Sequence, residues 1–196
     1  MYGNASIHYL KYCLGLEGPH SQTTPAEKQM LRQYAKDAQS AVEIGVFEGV
    51  NTANIVEVMR PNGVLYGIDP FFKGRLGVSY SKLITIAHLK KTKSISKVRL
   101  IEKLSFDALN DVPNELDFIF MDGDHSYEGI KKDWQDWSAK LKVGAFVALH
   151  DTSIPPHDPN VSRLGSYQYF QERIAQWPGF KVVDSIDSLN VLQKVA

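Results

Sequence analysis

Acidic and imidazole side chains directly follow two apolar runs of this sequence, at the points where buried strands would end. Asp122 and His125 come after the run Leu116–Met121, and the dipeptide His150-Asp151 comes after the next such run. Carboxylates and imidazoles together can bind a divalent cation or move a proton near neutral pH. These four side chains are therefore the first candidates for chemistry.

The four residues differ in the chemistry that they can supply. Asp122 and Asp151 could hold Mg²⁺ or a similar ion, which prefers carboxylate and water ligands, and an oxygen bound to that ion would have a lowered pKa. His150 as a further ligand would favour Mn²⁺, Fe²⁺ or Zn²⁺, although a simple hydrogen bond into the site is an alternative role. His125 would take the proton as a general base.

A second set of candidates lies at a glycine-containing turn. Gly45 and Gly49 follow the first apolar strand, and glycine lets the chain turn tightly while a ligand approaches bare backbone. Glu43 precedes the turn, and Asn51 opens a helix whose free N–H groups would meet a carboxylate. Asp69, after the next strand, can accept both hydroxyls of a ribose. A plain strand–helix turn is the alternative interpretation.

Apolar runs that alternate with helical patterns predict an α/β fold, specifically a Rossmann-like three-layer sandwich around a mostly parallel sheet. The patterns predict a helix over 127–141, a strand over 145–149, and a closing antiparallel pair over 180–183 and 189–195. Ligands of such sheets bind beyond the carboxyl ends of the strands, where the strand order reverses. We therefore expect the candidate residues to converge at one edge of the sheet.

Four segments together carry a resemblance to a known family. They are Glu43-Ile-Gly-Val-Phe-Glu-Gly-Val-Asn-Thr52, Tyr66-Gly-Ile-Asp69, Asp117-Phe-Ile-Phe-Met-Asp-Gly-Asp-His-Ser-Tyr-Glu-Gly129 and His150-Asp151. The first segment has the spacing E/D-x-G-x-x-x-G, which differs from the G-x-G-x-x-G of dinucleotide sites. The chain resembles the class I S-adenosylmethionine-dependent methyltransferases, and within them methyltransferase family 24, a group related to macrolide sugar O-methyltransferases and catechol O-methyltransferase-like enzymes.

The resemblance implies a seven-stranded sheet with its last strand antiparallel, and S-adenosylmethionine as the cofactor. The residues that would contact the cofactor are Glu43, Gly45, Gly49, Asn51, Asp69, Ser105 and Asp122. The first two would approach the methionine moiety, Asn51 its carboxylate, and Asp69 the ribose. The resemblance further implies that Asp122 is the first metal carboxylate and that the base lies three residues later, at His125.

The segment after the third strand departs from the family. Leu104-Ser105-Phe106 is placed to flank a purine ring, although Ser105 could equally cap the next helix. Many relatives carry Gly-Asp-Ser where this chain has Lys103-Leu104-Ser105. The sequence therefore predicts that a carboxylate for adenine is missing.

Length and composition limit the class of protein. With 196 residues, 43% hydrophobic residues and a net charge of zero, the chain is expected to form one domain over 1–196, with a helical cap over 1–38. The balanced charge does not call for nucleic acid as a partner, and no membrane segment is expected. The single cysteine, Cys13, suits a reducing compartment, so we expect a cytoplasmic protein.

The expected function is S-adenosylmethionine-dependent methylation of an oxygen on a small hydroxylated metabolite or sugar, assisted by Mg²⁺ or another divalent metal. The acceptor pocket is expected in the segments 1–20, 71–79 and 152–165. One alternative is an NAD-dependent oxidoreductase on a similar fold. Another is a non-catalytic nucleoside-binding module. Formation of a homo-oligomer is left open.

Overall fold

The computed structural model describes residues 5–74 and 76–196, and a seven-stranded sheet lies at its centre. The strands are β1 (Ser40–Ile44), β2 (Val64–Ile68), β3 (Val98–Ile101), β4 (Leu116–Met121), β5 (Leu141–Leu149), β6 (Phe180–Ile186) and β7 (Leu189–Lys194). Their order is β3-β2-β1-β4-β5-β7-β6, and β7 runs antiparallel to both neighbours. The predicted mostly parallel sheet with an antiparallel last strand is confirmed.

Helices cover both faces of this sheet. They are α1 (Ala5–Cys13), α2 (Pro25–Ala35), α3 (Val50–Val58), α4 (Tyr80–Lys91), α5 (Tyr127–Trp137) and α6 (Gly165–Glu172). Trp134 and Trp137 of α5 belong to one hydrophobic core with residues of α6, whereas Met30 and Leu31 of α2 belong to a second core with residues of α3 and α4. The predicted three-layer sandwich is therefore confirmed.

The apolar strands are buried on both faces because successive side chains point to opposite sides. In β1, Val42 and Ile44 pack into the core under α5 and α6, and Ala41 packs into the other core. β4 divides in the same way, with Ile119 on the first side and Phe118 on the second. Continuous apolar runs in the sequence thus reflect central strands.

Two predicted boundaries are wrong. The helix predicted over 127–141 ends at Trp137, and a single 3₁₀ turn over 138–140 leads into β5, which begins at Leu141. The pairing of β4 with β5 shifts register before Phe118, where Gly144 has φ of +87°. Gly144 therefore marks an irregularity inside a strand and not the start of one, a second role that glycine commonly has in sheets.

The helical segment predicted over 1–38 divides into two unlike helices, and its residues 1–4 lie outside the described residues. α1 has no buried residue and contacts α4 through the rings of Tyr9 and Tyr80, whose centroids are 5.5 Å apart. α2 is part of the layer under the sheet. Throughout the described ranges, no helix has both the length and the apolar character to cross a membrane.

Candidate active site

A cavity of about 650 Å³ opens at the carboxyl ends of the central strands. It lies between β1 and β4, where the strand order reverses, and its size suits a small organic ligand. The predicted site residues that line it are Gly45, Asn51, Asp69, Ser105, Asp122 and His125. The other predicted residues do not line it; they are Glu43, Gly49, His150 and Asp151.

Gly45 allows the turn after β1 to pass directly against the turn after β4. Its φ is +89°, and its N–H donates to the carbonyl of Ile68 at 2.9 Å. A Cβ at this position would clash with the backbone carbonyl of Asp122. Glycine is therefore required here both by the backbone conformation and by the close approach of the two turns.

The Asp69 carboxylate organises the same turn. It accepts backbone N–H groups from Val46 at 3.0 Å, Phe47 at 2.9 Å and Phe71 at 2.7 Å. Phe47 and Phe71 have φ of +54° and +44°, a conformation that is costly for bulky residues. Asp69 thus holds strained backbone in place, in addition to its predicted role towards a ribose.

The first turn of α3 faces the cavity with Val50 and Asn51. Its N-cap is Gly49, with φ of +77° and no side-chain cap, so the side chain that usually meets the first helical N–H groups is missing. Asn51 is 8% exposed, and its Oδ1 accepts from Thr23 Oγ1 at 2.7 Å. An uncapped helix N-terminus at a cavity wall suits a carboxylate ligand.

Glu43 is fully buried and does not line the cavity. Thr52 Oγ1 donates to its Oε2 at 2.5 Å, and its Oε1 has no hydrogen-bond partner among the described residues. Burial raises the pKa of Glu43 well above its ordinary value, and the nearby Asp122 and Asp69 charges add to this. Its predicted contact with a cofactor stays a prediction.

Sequence reasoning missed a buried carboxylate, Asp133, in the cavity wall. Asp133 comes from α5, is 5% exposed, and accepts a hydrogen bond from Ser105 Oγ. The segment Lys103-Leu104-Ser105 carries no carboxylate, and α5 supplies one at the same wall. An acidic residue between the core positions Ile130 and Trp134 was the available signal, since the apolar face of a helix rarely carries a charge.

Asp133 predicts a pH dependence of stability. Burial raises its pKa to about 6, against the opposing hydrogen bond from Ser105. Because this pKa is higher in the folded than in the unfolded state, the protonated group stabilises the fold fully below about pH 4, and this contribution is lost as the pH rises through about 6. The stability lost is on the order of 3 kcal/mol. We expect Asp133→Asn to remove this loss in denaturant titrations across pH 4–7.

The control for that measurement is Asp136→Asn on the same helix, because Asp136 forms a surface ion pair with Lys132 at 3.0 Å. Surface pairs contribute little to stability. If wild type and Asp133→Asn show parallel stability curves from pH 4 to pH 7, the assignment of Asp133 as a buried acid is wrong.

His125 brings an imidazole to the cavity beside two carboxylates. Its Nδ1 is 3.3 Å from Asp151 Oδ2, and its Nε2 is 3.8 Å from Asp122 Oδ1. The side chain is 31% exposed, so it can reach both ligand and solvent. An imidazole next to carboxylates can take up a proton and be stabilised as a cation.

The N-terminus of α6 fixes the backbone around this imidazole. Ser166 N–H donates to the carbonyl of His125 at 3.1 Å, and Ser166 Oγ donates to the carbonyl of Asp151 at 2.8 Å. Ser166 is 2% exposed, and a Cβ on its neighbour Gly165 would clash with the backbone of Tyr127. Buried contacts from one helix therefore position both members of the His125–Asp151 pair.

His150 lies behind the cavity and is 4% exposed. Its Nδ1 is 3.0 Å from Asp122 Oδ1 and 3.5 Å from Asp151 Oδ1, and its Nε2 is 3.5 Å from Glu27 Oε2. Burial lowers the pKa of His150, but these three carboxylates outweigh it and raise the pKa well above its ordinary value. These carboxylates therefore favour the protonated form of this buried imidazole.

The three predicted metal ligands lie together at this point, since His150 Nδ1 is within 3.5 Å of one carboxylate oxygen each of Asp122 and Asp151. Among the described residues, Asp122 Oδ1 and both ring nitrogens of His150 are buried without a hydrogen-bond partner of good geometry. Among the residues that the structure describes, Asp122, His150 and Asp151 are not a group that brings three ligand atoms within 4.8 Å of one another. The predicted role of Asp122, His150 and Asp151 as metal ligands therefore stays a prediction, and no step is assigned to a metal here.

Glu27 of α2 is the second residue that sequence reasoning missed. It is 1% exposed, accepts the Thr24 N–H at 2.8 Å, and accepts the N–H and Oγ–H of Ser188 at 2.9 and 2.7 Å. Burial raises its pKa, but His150 and these donors outweigh burial and lower the pKa to about 2. Glu27 thus links α2, the β6–β7 turn and the base of the site.

Glu27→Gln should lower the free energy of unfolding by about 3 kcal/mol at pH 7, because it removes one of the carboxylates that stabilise the buried His150 ring. A depressed folded-state pKa gives stability above about pH 4.5 that is lost as the pH falls towards about 2, so the difference from wild type should shrink over that window.

Denaturant unfolding at several pH values measures this effect, with Glu57→Gln as the control. Glu57 is 68% exposed and pairs with Arg32 at the surface, which is worth about 1 kcal/mol or less. Equal losses in the two variants would show that Glu27 is not a buried ionic partner.

The family of the chain follows from its match to a family model. Residues 42–152 match the model described as a methyltransferase domain, of methyltransferase family 24. The chain belongs to this methyltransferase family. The match spans the glycine turn, Asp69 and the Asp122–Asp151 region, which are the parts that meet at the cavity.

Solved structures agree on the fold of this methyltransferase. The chain is similar to the O-methyltransferase TomG from Streptomyces achromogenes in complex with S-adenosylmethionine, with a TM-score of 0.68, 15% identity, and coverage of 100% of this chain and 92% of the other. It is equally similar to an O-methyltransferase from Bacillus cereus in complex with S-adenosylhomocysteine, with a TM-score of 0.68, 16% identity, and coverage of 99% and 92%.

Curated relatives match only parts of the methyltransferase. An uncharacterised protein, y4gI from Sinorhizobium fredii, is 33% identical over 81 residues, which are 41% of this chain. The methyltransferase spans 8% of the length of that relative and 56% of the length of a second one.

Proposed function

We propose that this protein transfers a methyl group from S-adenosylmethionine to a hydroxyl oxygen of a small metabolite, such as a sugar. The observation that carries the proposal is one continuous cavity wall. It joins the glycine turn and Asp69 to the imidazole of His125, at the edge of the sheet where strand order reverses. Membership of methyltransferase family 24 supports the same reaction class.

The wall offers a complementary group for each part of the cofactor. The uncapped N-terminus of α3 would receive the carboxylate of the methionine moiety. Asp69, whose carboxylate is oriented by three backbone N–H groups, would accept the ribose hydroxyls. Phe106 and Leu104 are more than a third exposed and would flank the adenine ring, with Asp133 at its polar edge.

The bound sulfonium supplies an activated methyl group: the S–CH₃ bond breaks with its electron pair going to sulfur, and an O–CH₃ bond forms to the acceptor. The protein supplies orientation and a proton acceptor. His125 takes the hydroxyl proton at a ring nitrogen, and Asp151 stabilises the resulting imidazolium from 3.3 Å. When protonated, His150 offsets part of the negative charge of Asp122 and Asp151.

The acceptor would enter beside the N-terminal segment. His20 and Phe72, which belong to two of the segments expected to hold the acceptor, line the cavity, and so do residues 21 and 22 beside the first segment. Phe72 is 78% exposed and so is available to pack on a ligand. The third expected segment, 152–165, does not reach the cavity wall among the described residues.

Incubation of the protein with methyl-labelled S-adenosylmethionine and a panel of sugars, catechols and other hydroxylated metabolites tests the proposal. We expect one labelled methyl group on oxygen of at least one acceptor, with an equal amount of S-adenosylhomocysteine. Binding of S-adenosylmethionine without turnover across the panel would favour a nucleoside-binding module, and labelling on nitrogen alone would contradict the assignment of oxygen.

A further inference from the structure

Three side chains form a compact cluster beside the cavity, apart from His125 and its carboxylate neighbours Asp122 and Asp151. His8 of α1, His20 of the segment before α2 and Glu48 of the glycine turn each place one ligand atom so that all three lie within 4.8 Å of one another. Within residues 5–74 and 76–196, no other group of three or more His, Cys, Asp or Glu side chains brings its ligand atoms this close together. His20 also lines the cavity.

We propose that this cluster binds a transition-metal dication, with Zn²⁺ as the best match. Two imidazoles and one carboxylate are a donor set that Zn²⁺ accepts, with further positions left for water or another ligand. Mg²⁺ and Ca²⁺ prefer oxygen donors and match the set less well. This site is separate from the residues predicted to hold a metal near His125.

The carboxylate of the cluster is held in position before any ion arrives. Glu48 is 4% exposed, and its Oε2 accepts the backbone N–H of His20 at 2.5 Å. The same oxygen lies 3.0 Å from His8 Nε2. A buried carboxylate oxygen that faces two histidine residues is a fixed anchor for a cation.

The imidazole of His8 is oriented from its other side. Its Nδ1 lies 2.9 Å from Glu17 Oε2, which leaves Nε2 directed at Glu48. Metal-binding histidines usually direct their second ring nitrogen at a carboxylate or carbonyl, and this fixes the ring and raises its basicity. Glu17 is itself paired with Lys11, so the orienting group is also held.

The His20 ring must turn to complete the site. The rings of His8 and His20 are stacked, with centroids 3.7 Å apart and planes 14° apart. Ring-nitrogen lone pairs lie in the ring plane, so parallel rings do not aim at one point. Since His20 is exposed, rotation of its side chain requires no repacking of the core.

An ion here would join three separate parts of the chain. They are α1, the segment before α2, and the turn between Gly45 and Gly49. α1 buries no residue, so an ion would add a strong contact to a helix otherwise held by surface interactions. The site would thus fix the N-terminal helix beside the turn that forms the cavity wall.

Isothermal titration of the chelator-treated full-length chain with ZnCl₂ tests the proposal. We expect saturable binding of one Zn²⁺ that is at least tenfold weaker in His20→Ala, a variant that keeps the backbone N–H to Glu48 and changes only an exposed side chain. Glu48→Gln should weaken binding similarly. His157→Ala, which changes an exposed histidine outside the cluster, should bind as wild type does.

A second readout places the ion. Co²⁺ in place of Zn²⁺ should give visible absorption bands in wild type that His20→Ala loses. Wild-type affinity in His20→Ala, or no saturable Zn²⁺ binding to wild type, would overturn the proposal. So would binding that Asp151→Asn abolishes and His20→Ala leaves intact, because the ion would then lie near His125. These readouts need no acceptor and no turnover, so they stand apart from the test of the proposed methyl transfer.

Discussion

His125→Ala should reduce methyl transfer by at least about a hundredfold, while S-adenosylhomocysteine binds as tightly as to wild type. The imidazole lies 3.3 Å from the Asp151 carboxylate at the cavity wall, so its loss removes the proton acceptor and leaves the glycine turn and Asp69 intact. His157→Ala, in the loop after β5, is the matched control and should keep full activity.

Acceptor chemistry separates a base from a residue that only shapes the pocket. An acceptor whose hydroxyl is already ionised at the assay pH does not need a base, so it should lose much less rate in His125→Ala than a neutral alcohol does. Equal losses for both acceptors would assign His125 a role in binding or orientation. Unchanged turnover in the variant would remove it from the reaction altogether.

Gly45→Ala should be the most destabilising of the substitutions considered, costing more than about 4 kcal/mol in the free energy of unfolding or preventing folding. The new Cβ would meet the Asp122 carbonyl, a backbone atom that cannot move without displacing β4. The φ of +89° adds the cost of a left-handed conformation on an alanine.

Gly144→Ala is the matched control because it isolates the cost of the left-handed backbone conformation from the cost of the clash. Gly144 has nearly the same φ, +87°, but a Cβ there would meet nothing within 4 Å. We expect a loss of about 1 kcal/mol for it in denaturant unfolding. If the two variants lost the same stability, the close approach of the two turns would be absent in solution. Circular dichroism of Gly45→Ala would show whether the sheet forms at all.

The convergence of the candidate site could be predicted from the sequence because parallel strands bring their carboxyl ends to one edge. Asp122 follows β4 and His150 follows β5, and the register pairs Met121 with Leu149 directly before them. Any chain with these strands in this order places the two turns side by side. The family resemblance supplied the number of strands and the antiparallel last strand, whereas the order of the strands is known only from the structure.

The two residues that sequence reasoning missed, Glu27 and Asp133, lie in helices whose sequence patterns are explained by the helices themselves. Glu27 forms a capping box with Thr24, so its spacing is accounted for without any distant partner. Only the fold shows that its second oxygen meets Ser188 and that His150 lies behind it. Asp133 likewise sits in an ordinary amphipathic helix, and its place in the cavity wall depends on how α5 lies across the sheet.

His150 shows how a missing partner changes an interpretation. From its strand end alone, the sequence offers His150 as a metal ligand or as a hydrogen-bonding residue. The carboxylate of Glu27 arrives from α2, on the other side of the sheet from α5, and helps to raise the pKa of this imidazole. Such long-range charge pairing leaves no periodic signal in the sequence.

Calorimetric titration of S-adenosylhomocysteine and NADH into the same preparation tests the central claim most directly. The turn with Gly45, the uncapped α3 and Asp69 should bind one S-adenosylhomocysteine per chain and show no saturable binding of NADH. Saturable NADH binding with none of S-adenosylhomocysteine would contradict the assignment of the cavity to a methyl donor.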